Sequence, residues 1–309
     1  MLDPECGERK HWVAARVPDN EIAVIPNSFT IRNINLADTV NFLGSPDLES
    51  YAIRRGWYDP AGDGPFIFTK AYSNPGSLTH PDNINRMWRG TEILSGKRYD
   101  VKGVLPFSFE PVKKVSCQDV MRVLRDHYEG TGLDRSKQYT AGNPHRVNSG
   151  TICSGGSQYS VVALLRSWLP VEIGTLAWIA PFRPCTQAYT AWYPAMTGIP
   201  SRYAQGDFGS ALEHHFDPAF SRGDDKRHAF RVFVSLVDTV DQDYGKFILP
   251  VQGAWRSFEQ ENFTEQNRVE QEALVIYKDD RRKALQMLTG YTSRKAKEAY
   301  RKAEKMSKN

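Results

Sequence analysis

Residues 151–168 read TICSGGSQYSVVALLRSW and residues 174–182 read GTLAWIAPF, and these two stretches are the main evidence for a sheet in this protein. The second stretch is apolar on both faces of an extended chain, which is typical of a strand buried within a sheet. We therefore predict strands at 151–165 and 175–181 near the centre of one sheet.

Helical spacing of apolar residues dominates the chain after Gly206. Breaks are expected near Pro250 and Gly290, because proline removes a helical hydrogen bond and glycine weakens a helix. The predicted helices cover 207–216, 224–246, 251–277 and 280–306. Strands followed by a helical final third favour an α+β fold built in layers.

The N-terminal part begins with two short apolar segments, at 11–17 and 21–27. Pro18, Asp19 and Asn20 between them favour a tight turn, so a strand hairpin is predicted. The remaining predictions for this part are helices at 38–55 and 85–94 and, between them, an ordered loop at 56–85 that is rich in glycine, proline and aromatic residues.

A capping box precedes one further helix. Ser116 is followed three residues later by Asp119, and an apolar face then extends towards Gly130, the predicted C-terminal stop. The apolar positions of this face are Val120, Met121, Val123, Leu124 and Tyr128.

Composition excludes several classes of protein. The 309 residues are 40% hydrophobic and 12% aromatic, which excludes a disordered chain. A net charge of +4 is too small for a nucleic-acid-binding protein, and the basic residues of 281–309 are interpreted as a solvated helix face. The stretch 184–201 has no Asp, Glu, Lys or Arg, but it contains three prolines and several polar residues, so it is not expected to span a membrane.

No metal or other cofactor is expected from the sequence. Cys6, Cys117, Cys153 and Cys185 are far apart and form no C-x-x-C motif, so reduced thiols are predicted, with Cys117 and Cys153 buried in a helix and a strand. His214 and His215 are adjacent, and neighbours on a helix cannot both face one ion. His127, placed on a helix, is interpreted as a structural histidine.

Several motifs resemble those of one enzyme family. The stretches WVAARVPDNEIAVIPNSF, RDHYEGT, TIC with SQYSVVALLR, and LPVEIGTLAWIA look like the dipeptidase A family of cysteine hydrolases, to which the secernins are related. The resemblance implies an N-terminal-nucleophile hydrolase with an αββα sandwich. It predicts an incomplete sandwich over residues 1–205, with residues 206–309 as a helical C-terminal region packed on it.

The resemblance begins partway into the family pattern. The family's N-terminal cysteine, and the Asp and Arg beside it, match no residue of this chain, and Cys6 lies too close to segment 21–27 to replace that cysteine. The chain is therefore expected to be inactive alone, with its nucleophile on a missing upstream part. No secretory signal is recognised, so the chain as it stands predicts a cytoplasmic protein, whereas a signal in the missing part would make it secreted or periplasmic.

Asn27 and Arg86 are the predicted catalytic residues. The resemblance implies that the Asn27 amide donates to the oxyanion of an acyl-transfer intermediate, although an asparagine after proline also suits a turn. Arg86 resembles an arginine of the wider hydrolase superfamily that lies beside the nucleophile, where a guanidinium lowers the pKa of a cysteine or holds a substrate carboxylate. The alternative for this arginine is a surface position with its stem over Trp88.

Arg89 and Trp57 are predicted to bind substrate, and aromatic packing is the alternative role for Trp57. The predicted partners are a dipeptide substrate and, as open alternatives, an upstream half of the enzyme and a second copy of the chain. Two other functions stay open: a non-catalytic peptide-binding remnant or subunit of a split enzyme, and a basic helical adaptor acting through 281–309.

Overall fold

The computed structural model describes residues 11–134, 136–137, 139–140, 142–145, 150–204 and 228–308. Strands and helices are both present and the strands pair antiparallel, which agrees with the predicted α+β class. In chain order the elements are β1 (Val13–Ala15), β2 (Phe42–Gly44), α1 (Leu48–Arg54), α2 (Phe68–Tyr72), α3 (Pro75–Thr79), α4 (Pro81–Ser95), α5 (Cys117–Leu124), β3 (Tyr159–Leu165), α6 (Val171–Gly174), β4 (Thr175–Pro181), β5 (Thr190–Trp192), α7 (Ala229–Gln242), α8 (Tyr244–Tyr277) and α9 (Arg281–Met306).

The chain forms two compact units. The first contains Met1–Asp119 and Gly150–Ile152, and the second contains Val120–Ser149 and Cys153–Asn309. The division predicted at 205/206 and the αββα sandwich stay predictions, and the predicted helix 207–216 lies outside the described residues. None of the described helices combines the length and the hydropathy that a membrane crossing requires.

The second unit is built on an antiparallel sheet in the order β3-β4-β5. The predicted strand 175–181 is confirmed, and alternate side chains of β4, including Leu176 and Trp178, are buried. The prediction for 151–165 is correct only from Tyr159 onward. Residues 154–157 instead form a turn, with the Ser157 N–H donating to the Ser154 carbonyl at 3.2 Å, because Gly155 and Gly156 weaken an extended strand.

Helix α8 is longer than predicted, since it begins at Tyr244 and not at 251, whereas α7 ends at Gln242, before the predicted 246. Both expected breaks are wrong. Helix α8 continues through Pro250, and α9 continues through Gly290. The buried side chains of Ile248, Val251 and Trp255 surround the proline position, and their packing outweighs a local cost of about 3 kcal/mol. Helices α7, α8 and α9 contribute buried side chains to one apolar core. Their apolar residues therefore repeat at helical spacing, which is why the sequence pattern predicts helices in this region.

The predicted hairpin in the first unit is wrong. The turn forms, since the Glu21 N–H donates to the Pro18 carbonyl at 2.9 Å, but β1 pairs antiparallel with β2. The segment 21–27 contributes only an isolated bridge, between Ile22 and Phe109. Pairing with β2 places Val13 in the apolar cluster that also buries Leu48, Ala52, Phe68 and Tyr72.

Three other predictions for the first unit need correction or extension. The predicted helix 38–55 is helical only in α1, because Asp38 caps a turn by accepting the Val40 and Asn41 N–H groups, and β2 follows. The predicted loop 56–85 contains α2, α3 and the start of α4. The predicted helix 85–94 is confirmed within α4, which begins at Pro81 and ends before Gly96, whose φ of 69° is the usual geometry of a helix stop.

The predicted capping box at α5 is confirmed. The Asp119 N–H donates to Ser116 Oγ at 3.2 Å, and the Ser116 N–H donates to Asp119 Oδ2 at 3.0 Å. The helix ends at Leu124, earlier than the predicted stop at Gly130, because the chain turns through Tyr128 with a φ of 70°. Cys117 lies in this helix but is half-buried and not buried.

Replacing Ser116 with alanine is expected to lower the free energy of unfolding by about 1 kcal/mol at neutral pH. Hydrogen bonds from the Ser116 hydroxyl and N–H, and then from Lys113, lower the pKa of Asp119 to about 2. A depressed folded pKa stabilises the protein above the unfolded value of about 4, and this stabilisation is lost as the pH falls through about 2. The difference between wild type and variant should therefore shrink below about pH 4.

Urea unfolding at a series of pH values measures this effect. Ser257→Ala is the matched control, because this exposed hydroxyl bonds only within α8, and its change should stay within about 0.5 kcal/mol. A difference between Ser116→Ala and wild type that is constant with pH would contradict the role of the capping box.

Candidate functional site

Asn27 and Arg86 both contact a third residue, Asn83, in the first unit. The Asn83 amide donates to the Asn27 backbone carbonyl at 3.3 Å, and Asn83 Oδ1 accepts from an Arg86 Nη at 2.9 Å. Arg86 Nε also donates to the Asp82 carbonyl at 2.9 Å, which orients the guanidinium. The structure therefore places the two predicted residues on either side of one buried amide.

The start of α4 creates this arrangement. Pro81 occupies the first turn, where its missing N–H costs nothing, and His80 Nδ1 accepts the Asp82 N–H. At Gly90 a Cβ atom would lie 2.9 Å from a Val24 methyl, so glycine allows segment 21–27 to lie close to the helix. Glycine is usually unfavourable inside a helix, and this close packing explains its presence at position 90.

Asn83 is the residue of this group that the sequence did not reveal. Its side chain is buried, and it also donates to the Ser77 carbonyl at 2.9 Å. Its position three residues before Arg86 on one helix face is the signal that could have identified it. The Asn27 side chain itself is exposed, which leaves its amide accessible.

Arg89 and Trp57 lie in different surroundings. Arg89 lines a groove of about 240 Å³, together with Glu92, Ile93, Gly96, Lys97 and Arg98. Trp57 packs edge-on against Tyr51 and Tyr72, at ring-centroid distances of 5.7 and 5.4 Å. The structure thus gives Trp57 a packing role, and substrate binding by either residue stays a prediction.

The second unit contains a compact cluster of four side chains with nitrogen and sulfur donors. His127, His145, Cys153 and Cys185 place one donor atom each within 4.8 Å of one another. The two Nε2 atoms are 3.0 Å apart, and His145 Nε2 lies 3.8 Å from Cys153 Sγ and 3.7 Å from Cys185 Sγ. Three of the four residues are buried and His145 is half-buried.

Each histidine uses its other ring nitrogen in a separate hydrogen bond. His127 Nδ1 lies 2.8 Å from Glu129 Oε1, and His145 Nδ1 lies 2.9 Å from Asn143 Oδ1. Both of these oxygens accept hydrogen bonds, so each Nδ1 is the donor. In the singly protonated imidazoles, both Nε2 lone pairs then point into the cluster.

A second set of contacts holds the cluster residues in place. Asp241 Oδ1 on α7 accepts from Asn143 Nδ2 at 2.8 Å and from an Arg183 Nη at 2.9 Å. Arg183 is two residues before Cys185, in the turn that follows β4, so one carboxylate anchors two of the segments that form the cluster. The Tyr244 hydroxyl donates to Cys185 Sγ at 3.5 Å.

The protonation states reflect strong coupling within the cluster. Burial alone would raise the pKa of Cys185, but hydrogen bonds from Cys153, His127 and His145 outweigh it and hold that pKa well below its usual value. Burial and the hydrogen bond to Cys185 raise the pKa of Cys153. Burial opposes charge on His127, yet contacts with Cys185 and Glu129 raise its pKa to about 9. Burial lowers the pKa of His145.

Sequence reasoning missed this cluster. His127 was expected on a helix and Cys153 in a strand, whereas His127 follows the end of α5 and Cys153 precedes β3. Cys153 is buried as predicted. The four donors are widely and irregularly spaced in the chain, so they match no metal-binding motif, because such motifs require ligands close together in the sequence. The signal that could have identified two of the donors is their position, because His127 lies just after the end of α5 and Cys185 just after the end of β4.

Comparison with known proteins links the chain to one peptidase family. The model of peptidase family C69 matches residues 5–216. A probable dipeptidase of Salmonella dublin is 29% identical over 216 residues, which cover 67% of this chain and 47% of that protein. A probable dipeptidase of Latilactobacillus sakei is 26% identical, covering 55% and 35%, and a dipeptidase of Bifidobacterium longum is 26% identical, covering 55% and 34%. The chain thus spans about half or less of these relatives.

Proposed function

The chain belongs to peptidase family C69, and we propose that it is part of a dipeptidase-like hydrolase of amide bonds. The names of its relatives support this substrate class, since they are described as dipeptidases or probable dipeptidases. The observation that carries the proposal is the family match over 5–216, which includes both Asn27 and Arg86.

The finer proposal is a cysteine-type enzyme with an N-terminal nucleophile and an αββα sandwich. Its attacking thiolate would come from a part of the enzyme that matches no residue of these 309. We expect the chain alone to be inactive, because an oxyanion donor and a binding surface supply only part of the rate enhancement when the nucleophile is absent.

In this proposal Asn27 donates its side-chain amide to the oxyanion, and Arg86 faces either the thiolate or the substrate carboxylate. The contact network supports a shared role, because Asn83 links the Asn27 carbonyl to the Arg86 guanidinium. Asn83 is then a positioning residue, since it acts through its two neighbours. Arg89 and Trp57 remain the proposed substrate-binding residues.

Complementation tests the proposed function. The full chain is assayed for release of amino acids from a dipeptide panel, alone and co-expressed with the part of the Salmonella dublin relative that lies outside its matched 47%. Hydrolysis is expected only in the complemented sample, with the intact relative as positive control. Hydrolysis by the chain alone would contradict the proposal that the nucleophile lies outside these 309 residues. Dipeptide binding without turnover in the complemented sample would support a peptide-binding module instead.

A further inference from the structure

We propose that His127, His145, Cys153 and Cys185 bind one zinc ion in a closed, structural site. The proposal concerns the second unit and is independent of the dipeptidase function. Two imidazole nitrogens and two thiolates are a frequent ligand set for structural zinc, and four protein ligands complete its tetrahedral shell.

The spacing of the donors suits a tetrahedral ion. Zinc bonds of about 2.0–2.1 Å to nitrogen and about 2.3 Å to sulfur require about 3.3 Å between two nitrogens and about 3.5 Å between nitrogen and sulfur. The corresponding distances here are 3.0 Å between the two Nε2 atoms and 3.7 and 3.8 Å from His145 Nε2 to the sulfurs. These three pairs are within a few tenths of an ångström of tetrahedral spacing, and all four donor atoms lie within 4.8 Å of one another.

The direction of the lone pairs also favours a cation. Glu129 and Asn143 accept from Nδ1 of the two histidines, which leaves both Nε2 lone pairs directed at the same point. A carboxylate or amide oxygen behind a ligating imidazole is the usual outer contact of a zinc histidine. A proton between the two Nε2 atoms would satisfy one contact only, whereas one divalent ion satisfies all four donors.

Charge and burial fit zinc as well. Two thiolates neutralise a divalent ion, and Arg183 beside the cluster is paired with Asp241 at 2.9 Å. Cys153 and Cys185 are 0% and 1% exposed, so the ion would be shielded from water, as in structural sites. Such an ion would join the chain after α5, the entry to β3 and the turn after β4.

Metal analysis of the full wild-type chain is the first test. Purified under reducing conditions, the chain should contain about one zinc per molecule by inductively coupled plasma mass spectrometry. Exchange for cobalt should produce thiolate-to-metal charge-transfer bands and the intense visible absorption of a tetrahedral ion. Removal of zinc by a chelator should lower the thermal unfolding midpoint, and added zinc should restore it.

Variants identify the ligands. Cys185→Ser should lose stoichiometric zinc and the cobalt charge-transfer bands, whereas Cys117→Ser, a matched control outside the cluster, should retain both. Asn143→Ala should weaken zinc affinity by about 10- to 100-fold, because it removes an outer contact and not a ligand.

Three results would overturn the zinc site. The first is a wild-type chain that contains no stoichiometric zinc and takes up none on titration. The second is an equal loss of zinc in Cys117→Ser and Cys185→Ser. The third is a Cys153–Cys185 disulfide, detected by peptide mass mapping, in chain isolated from cells without added oxidant. Because the wild-type measurements need no variant to fold, they decide the question even if Cys185→Ser is insoluble.

Discussion

Glu259→Ala is expected to lower the free energy of unfolding by about 3–5 kcal/mol, because it leaves a largely buried arginine without its counter-charge. Arg125 donates to both Glu259 oxygens, at 2.5 and 3.1 Å, and the side chain of Glu259 is only 8% exposed. The Tyr189 N–H also donates to Glu259, at 2.7 Å. The variant removes all of these contacts at once.

The same ion pair supports the turn that contains Cys185. Arg125 donates through Nε to the Pro184 carbonyl at 2.8 Å and through an Nη to the Gln187 carbonyl at 3.0 Å. A misplaced guanidinium would release both carbonyls. Glu259→Ala should therefore also weaken zinc retention at the proposed site without altering any ligand.

Urea denaturation of the full chain measures the loss, with Glu272→Ala as the control. Glu272 pairs with Arg268 at 2.5 Å on the surface of α8, where such a pair contributes about 0.3–0.5 kcal/mol. The double variant Arg125→Met with Glu259→Leu should recover only the part of the loss that comes from the unpaired charge, because the Pro184 and Gln187 carbonyls and the Tyr189 N–H still lose these partners. Equal effects of Glu259→Ala and Glu272→Ala would contradict the role assigned to the buried pair.

Asn27→Ala is expected to reduce kcat of the complemented enzyme by about 100- to 1000-fold with little change in KM. An oxyanion donor interacts with charge that develops only in the transition state, and losing it costs about 2.7–4 kcal/mol. This prediction depends on the proposed function and is measured in the complementation assay with dipeptide as substrate.

The structure separates this catalytic effect from a loss of folding. Asn83 and Ser77 bond to the backbone carbonyl of Asn27, which alanine retains. The Asn27 side chain is exposed, so stability should change by less than about 0.5 kcal/mol. Asn33→Ala replaces another exposed asparagine and should leave kcat near wild type. An unchanged kcat in Asn27→Ala would contradict the role of Asn27 as oxyanion donor and would leave it the role of a turn residue.

Two groups of residues are readily predicted from local patterns. The apolar positions of β4 and of the long C-terminal helices repeat at the spacing of their own backbone, and the Ser116–Asp119 cap acts over three residues. Errors appear where packing opposes local preference, as at Pro250, whose cost is offset by its buried neighbours.

Pairing between strands that are far apart in the sequence is harder to predict than local structure. Segments 11–17 and 21–27 contain a genuine turn signal, yet β1 pairs with Phe42–Gly44 because that partner places Val13 in the apolar cluster. A turn residue favours reversal of the chain, but the burial of side chains selects the partner strand.

Motifs and the spacing of residues along the chain were enough to predict the family, a mixed fold of helices and strands, the strand 175–181 and the helical C-terminal region. The folded chain was needed to find that Asn83 joins Asn27 to Arg86, and that His127, His145, Cys153 and Cys185 meet. These groups join residues that are far apart in the chain, 59 positions from Asn27 to Arg86 and 58 from His127 to Cys185. No local repeat encodes such contacts, because the folding of the intervening chain sets the distances between them.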